Sequence, residues 1–250
     1  MGSTNALVLG AVAGGTIFLG LPVARLSVVG RERLAMLNAL AVGVLCFLFV
    51  DVMGQAAEPV ETADVGRDAR FWPLLALMAF GFGVGFLGLV AYGQRLLAGG
   101  GSARRLSLLI AGGIGLHNLA EGLAIGNAAR TGALSLALTL GIGFALHNAT
   151  EGFGVAAPLA GETVGWRFLV GAGLIAGGPT FLGTLLGGRF TSDEMSVFIL
   201  ALAGGSILFV IVELLAAGRR LAAPMWVGWG LTLGVLAGFA TDFVVARGGA

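Results

Sequence analysis

Two stretches of this chain repeat the same chemically capable residues at the same spacing. One reads Gly-Leu-His117-Asn118-Leu-Ala-Glu121-Gly122 and the other Ala-Leu-His147-Asn148-Ala-Thr-Glu151-Gly152, displaced by 30 residues. Together they use both histidines of the chain. On an α-helix, positions i and i+4 share a face one turn apart, so His117 stands over Glu121 and His147 over Glu151. Asn118 and Asn148 add an amide oxygen on the adjoining flank. If the two carrying helices are consecutive and antiparallel, the motifs meet around an approximate two-fold axis, and six nitrogen or oxygen ligands can converge there.

Such a set suits a borderline divalent cation. Imidazole favours zinc, copper, iron and nickel, whereas carboxylate and amide oxygens also admit manganese or cadmium-like ions. With no thiolate in the set, a closed structural zinc site is not expected, and weaker mixed ligation fits an ion that must enter and leave. A single intramembrane histidine is more often a helix-packing partner than a ligand. Duplication of the whole His-Asn-Glu pattern argues against that reading here, although Gly122 and Gly152 are expected to serve only close packing.

The elements that must hold these motifs follow from composition. The chain has 250 residues, 57% hydrophobic and 11% charged, with 45 Gly and a mean hydropathy of +0.98. A soluble domain carries about a quarter charged residues, so this is the composition of an integral membrane protein. Charges mark the connectors. Uncharged runs cover 1–24, 71–94, 168–188 and 221–241, and four more appear once single acids are allowed: 34–57 around Asp51, 106–129 around Glu121, 131–161 around Glu151 and 195–218 around Glu213. None alternates with the period of a strand, and isolated backbone in lipid must bond to itself. The fold expected is all-α and polytopic, a single domain over 1–250 of eight transmembrane helices in an inverted-repeat arrangement. The spans fall at about 5–28, 34–56, 71–95, 106–129, 132–157, 168–188, 195–217 and 223–246. Pro73 and Pro224 stand at span starts, while Pro22, Pro158 and Pro179 mark kinks or ends.

Each ionised carboxylate inside a bilayer costs on the order of 3 kcal/mol, so Asp51, Glu121, Glu151 and Glu213 together cost about 10 kcal/mol unless something offsets them. No Arg or Lys shares their spans. Protons, one another, or a bound cation remain. For Asp51 and Glu213 three roles stay open: metal ligand or gate, proton carrier, or hydrogen-bonded helix contact. Asp242 is expected at the interface, Met53 in the core rather than as a soft ligand, and Cys46 as a small packed hydrophobe.

The 14 basic residues are all Arg and nearly cancel 13 acids, so no basic patch for nucleic acid exists. Counted on alternate sides of the spans, nine Arg (25, 31, 33, 95, 104, 105, 167, 219 and 220) oppose five (Arg67, Arg70, Arg130, Arg189 and Arg247). The positive-inside rule then places both termini outside the cytoplasm. The acids of the 56–70 connector, Glu58, Glu61, Asp64 and Asp68, are expected in a solvated loop.

At this point the residues resemble the ZIP family of divalent metal transporters. Its members have eight spans, both termini outside, and a binuclear site built from His-Asn-x-x-Glu-Gly in the fourth span and a related motif in the fifth. The two motifs here fall in the fourth and fifth spans. The resemblance implies that His117, Glu121 and Glu151, with His147 near them, form the principal transport site, and that Asn118 and Asn148 share the two Glu in a secondary one. It implies a bacterial inner-membrane transporter, not an enzyme and without a cofactor, whose substrate is a divalent metal, zinc first, moved toward the cytoplasm. Two departures matter. Many bacterial members carry Glu-Pro in the sixth span where this chain has Gly178-Pro179, and the 95–105 connector lacks histidine. Pairing into a homodimer is left open. Two rival readings use the same residues: an intramembrane metal-dependent hydrolase, and a proton-coupled transporter of a small solute. Direct histidine ligation predicts that uptake weakens below the ordinary imidazole pKa of about 6.5.

Overall fold

Short capping signals and long apolar runs set the helices. Ser102 accepts a hydrogen bond from the Arg105 amide and Ser192 one from the Met195 amide, which starts two of them, and Pro224 opens the last. A computed structural model describes residues 3–25, 30–66, 68–98, 100, 102–159, 161–187, 189, 192–221 and 223–248. Its helices are α1 (Ser3–Gly15), α2 (Ile17–Gly20), α3 (Arg31–Glu61), α4 (Phe71–Leu97), α5 (Ala103–Arg130), α6 (Leu134–Ala156), α7 (Trp166–Leu186), α8 (Asp193–Arg219) and α9 (Pro224–Gly248). No strand occurs among the described residues.

The boundaries differ from the sequence expectation where proline or length intervenes. The first rod is not one helix: α1 breaks at Thr16, α2 follows, and Leu21–Arg25 continues as a 3-10 turn around Pro22, whose missing amide cannot extend an α-helix. Pro158 does the same in the 3-10 turn Ala157–Leu159 after α6. Pro179, by contrast, lies inside α7, which runs on to Leu186. Helix α3 overruns the 34–56 span at both ends, its 31 residues exceeding what a bilayer core requires. Residues 26–28 and 188 of the expected spans, and Arg67, lie outside the described residues.

Among the described residues, seven helical rods are long and apolar enough to cross a membrane. The eighth, α6, has 23 residues but carries His147, Asn148, Thr150 and Glu151, which dilute its hydropathy. Outward faces expose large apolar side chains such as Leu19, Phe80, Leu87, Leu174 and Leu236, with Trp72, Trp166, Trp226 and Trp229 exposed near helix starts, as lipid-facing helices with interfacial aromatics do. The protein is therefore an all-α, multi-pass membrane bundle.

The rods pack as two matching halves. The α1–α2 rod lies along α6, and α5 lies along α7; α3 lies along α9, and α4 along α8. Exchanging the first three rods for the last three, and α5 for α6, maps this set of neighbours onto itself. The match holds residue by residue. A Cβ on Gly20 would meet the Ala149 carbonyl and Gly152, and one on Gly183 would meet the Leu119 carbonyl and Gly122. Likewise Gly43 faces the Leu231 carbonyl as Gly205 faces the Phe82 carbonyl, and Gly230 faces Met36 as Gly81 faces Phe198. On the axis itself, Gly14 of α1 and Gly177 of α7 face each other, and a Cβ on either would overlap the other's carbonyl oxygen. Small residues at these crossings permit backbone approach without any hydrophobic force between helices.

Candidate metal centre

Helices α5 and α6 present their polar faces to one another at mid-length, walled by α1 and α7. All six motif residues are buried: His117, Asn118, Glu121, His147, Asn148 and Glu151 are each at most 5% exposed. His147 Nε2 lies 2.6 Å from Glu121 Oε1, across the helix pair. His117 Nε2 lies 2.9 Å from the same oxygen and 3.7 Å from Glu151 Oε1. The 2.9 Å approach is close enough for charge pairing, yet it is not aligned as a hydrogen bond, and both ring nitrogens of His117 lack an aligned partner. His117, Glu121 and His147 each offer a ligand atom within 4.8 Å of the others, which is the spacing of groups around a shared cation.

The asparagines are held by their amide nitrogens. Asn118 Nδ2 donates to the Ala176 carbonyl of α7 at 3.0 Å, and Asn148 Nδ2 donates to the Ala13 carbonyl of α1 at 3.1 Å. These are the same bond in the two halves of the repeat. With the nitrogens so engaged, Asn118 Oδ1 and Asn148 Oδ1 are left as buried acceptors without a hydrogen bond. Both oxygens of Glu151 are in the same state, although Glu151 is fully buried. A buried acceptor without a donor costs about 1–3 kcal/mol, and more when charged. None of these four acceptors has an aligned donor among the described residues. The donor chemistry, two imidazoles, two carboxylates and two amide oxygens, fits a divalent cation.

Gly122 and Gly152 are packing residues: a Cβ on them would overlap the carbonyls of Thr180 and Ile17, so their absence of side chain lets α7 and α2 close over the site. Gly178 adds no ligand, and a Cβ there would meet nothing within 4 Å. Asp51 and Glu213 are not among the clustered ligands. Asp51, half-buried on α3, accepts a 2.9 Å hydrogen bond from Gln55 and lies within electrostatic reach of both histidines and Asp242. Glu213, half-buried on α8, lines a separate cavity. Met53 packs toward Gly204 of α8, and free Cys46 is half-buried beside the core.

Two features of this site escape a motif reading. The carbonyls of Ala13 and Ala176 orient the asparagines, yet backbone acceptors leave no mark in side-chain chemistry. Asn38, 3% exposed on α3, donates to the Leu214 carbonyl at 3.0 Å and keeps an unpartnered Oδ1. The 34–57 run also holds Asp51 and Gln55, so its sequence does not single Asn38 out. No protein-family model matches the chain, and no curated protein matches its sequence.

Proposed function

We propose that this protein is a ZIP-like transporter that carries a divalent cation, zinc first, across the membrane through the His117, Glu121, His147 and Glu151 cluster. The observation that carries the reading is the ring of buried acceptors and imidazoles, without an opposing cationic side chain, at the meeting point of two inverted halves. The inverted repeat relates the helices on the two sides of this single site, so that one fold can open it toward either face. Alternating exposure of a fixed midplane site uses that equivalence.

In this mechanism Glu121 is the shared ligand, since both imidazoles already converge on its Oε1. Glu151 and the two amide oxygens complete the coordination from the other side. The cation is the substrate, so its ligands must be neutral imidazole and ionised carboxylate, and protons compete with it. With nine Arg on the connector face opposite the chain ends, that face is the cytoplasmic one of a bacterial inner membrane, and the resemblance makes it the side toward which the cation moves.

The deciding experiment is zinc flux into liposomes that carry the purified protein and an internal fluorescent zinc indicator. Wild type is expected to conduct, and His117→Ala and Glu121→Ala to abolish the flux while remaining monodisperse. Absence of wild-type flux for zinc, iron, manganese and cadmium in both directions would overturn the transport reading and favour a test for metal-dependent hydrolysis.

A further inference from the structure

Helices α3 and α9 start side by side on the arginine-rich connector face. A Cβ on Gly230 would meet the Met36 carbonyl and one on Gly234 the Leu40 carbonyl, so the two helices run parallel. Five residues before the first of these pairs, Arg31 and Met225 stand level. Arg31 Nη2 donates to the Arg220 carbonyl at 3.3 Å, which ties the start of α3 to the end of α8. Arg31, Arg33, Arg219 and Arg220 are all exposed, and none pairs with a carboxylate among the described residues. Glu32 is the single acid in the segments 31–36 and 219–226 that form this corner. Arg220 also borders the cavity of Glu213 and Glu162, which leaves Arg31 as the cation of the cleft beside α9.

That cleft, of about 460 Å³, is lined by Arg31, Glu32, Leu221, Pro224, Met225 and Trp226. Pro224 and Met225 also open a second depression of about 480 Å³, which continues along α9 past Gly228, Trp229 and Thr232. From Pro224 to Thr232 it covers about 12 Å of helix, two turns from the connector toward the bilayer interior. This groove offers no polar ligand, because the Thr232 hydroxyl donates to the Gly228 carbonyl at 2.9 Å. Exposed Trp226 and Trp229 mark the headgroup level, where indole rings settle. A cationic opening at that level, joined to an apolar groove beneath it, has the form of a phospholipid: phosphate above, acyl chain below.

Charge selects among the occupants. A guanidinium with one bond to a carbonyl keeps donors for a phosphate. No side chain caps α3 at Gly30, so its first-turn amides add to the positive potential of the corner. A zwitterionic headgroup would bring its own ammonium against Arg31. A second copy of the chain in a two-fold contact would set these arginines against their own image. A free phosphate would use the cleft and leave the groove without an occupant.

We propose that this corner binds one anionic phospholipid of the leaflet on the arginine-rich face, with its phosphodiester at Arg31 and an acyl chain in the groove along α9. The inference goes beyond the transport reading and does not rest on it.

The test is native mass spectrometry of the full chain in a neutral detergent, with phosphatidylglycerol and phosphatidylcholine of identical acyl chains offered in equal amounts. Wild type is expected to retain one phosphatidylglycerol in preference. Arg31→Gln should weaken that retention about fivefold, which is about 1 kcal/mol, the weight of one arginine near an anionic headgroup. Arg31→Lys should keep most of it. Arg95→Gln and Arg167→Gln, exposed on the same face but outside the cleft, should leave it unchanged, which separates a site from the general attraction of that face. A Cβ on Gly228 meets no atom within 4 Å, so Gly228→Leu fills the groove without parting any helices and should also weaken retention. Equal retention of the two lipids, or equal losses from all three arginine-to-glutamine changes, would overturn the site. Unchanged retention in Gly228→Leu with displacement by millimolar inorganic phosphate would give the cleft to a free anion and overturn the lipid. So would a wild type that holds a second copy of the chain in place of lipid and loses it in Arg31→Gln. Zinc flux, present or absent, alters none of these outcomes.

Discussion

Gly177 and Gly178 are adjacent in α7, and the fold predicts different outcomes when each becomes alanine. A Cβ on Gly177 overlaps the Gly14 carbonyl oxygen and comes within 3.0 Å of the Gly14 carbonyl carbon and of the Ile17 side chain. Both nearest atoms belong to helical backbone, so relief requires α1 and α7 to part. Overpacking of this kind costs about 1–3 kcal/mol. At about 2–4 °C per kcal/mol for a chain of this size, Gly177→Ala should lower the melting temperature by roughly 3–10 °C. A Cβ on Gly178 meets no atom of another helix within 4 Å, but the ring of Pro179 crowds a Cβ on the residue before it, which offsets the propensity gain of alanine over glycine, so Gly178→Ala should shift it by no more than about 2 °C. The parting of α1 and α7 also reaches the site. Ala13 and Ala176, whose carbonyls hold Asn148 and Asn118 at 3.1 and 3.0 Å, immediately precede Gly14 and Gly177. Cation affinity in Gly177→Ala should therefore fall about tenfold, the effect of losing about 1.4 kcal/mol, while Gly178→Ala binds as wild type. Thermal unfolding in detergent and equilibrium zinc titration measure the two quantities. Equal melting temperatures for the two variants would refute the close crossing as the element that sets the asparagines.

Three further outcomes follow from the same geometry. Glu151→Gln removes a buried carboxyl whose oxygens have no hydrogen bond and supplies an amide beside Asn118, so the metal-free protein should melt higher while zinc affinity drops at least tenfold; thermal melts with and without zinc check both signs. Ser107→Ala deletes the 2.8 Å bond to the Val155 carbonyl that ties α5 to α6, with an expected loss of about 1 kcal/mol in unfolding experiments and no change in zinc affinity. The side-chain hydrogen bond from Arg70 holds the Asp68 carboxyl below its usual range, so Asp68 stays ionised and its contribution is complete above the ordinary carboxylate pKa of about 3.9, being lost only as pH falls through the lowered value. The pH dependence of flux between pH 5 and 8 should accordingly be identical in Asp68→Asn.

The helices were readable because charges bracket them: Arg, Asp and Glu sit at nearly every connector, and the few acids inside the runs stood out against apolar neighbours. The duplicated motif was readable because α5 and α6 are consecutive, so one antiparallel turn is enough to bring Glu121 to His147. Tertiary partners were not. Gly14 and Gly177 are each one glycine among 45, and nothing local to either says that they meet. The wider repeat was hidden for a related reason. Corresponding positions share a backbone role but not a side chain, as with Ile17 and Thr180, or Met36 and Phe198, because the requirement is for a carbonyl opposite a glycine and any residue supplies one. The break at Pro22 was visible as a kink, but the earlier interruption of the first rod at Thr16 has no proline to mark it.

The low hydropathy of α6 bears on how the chain is made. A segment that carries a histidine, an asparagine, a threonine and a glutamate partitions poorly into lipid alone, because each of these residues weighs against release from the translocation channel. Helix α5 is synthesised immediately before it, and Glu121 offers His147 a partner across a connection of three residues, 131–133. The two segments are thus suited to leave the channel as one hairpin, with the polar faces that later serve the cation already turned toward each other. Mutations that weaken the Glu121–His147 contact would then show themselves during biosynthesis, as chains whose sixth helix stays on the wrong side of the membrane, before any transport defect can be measured.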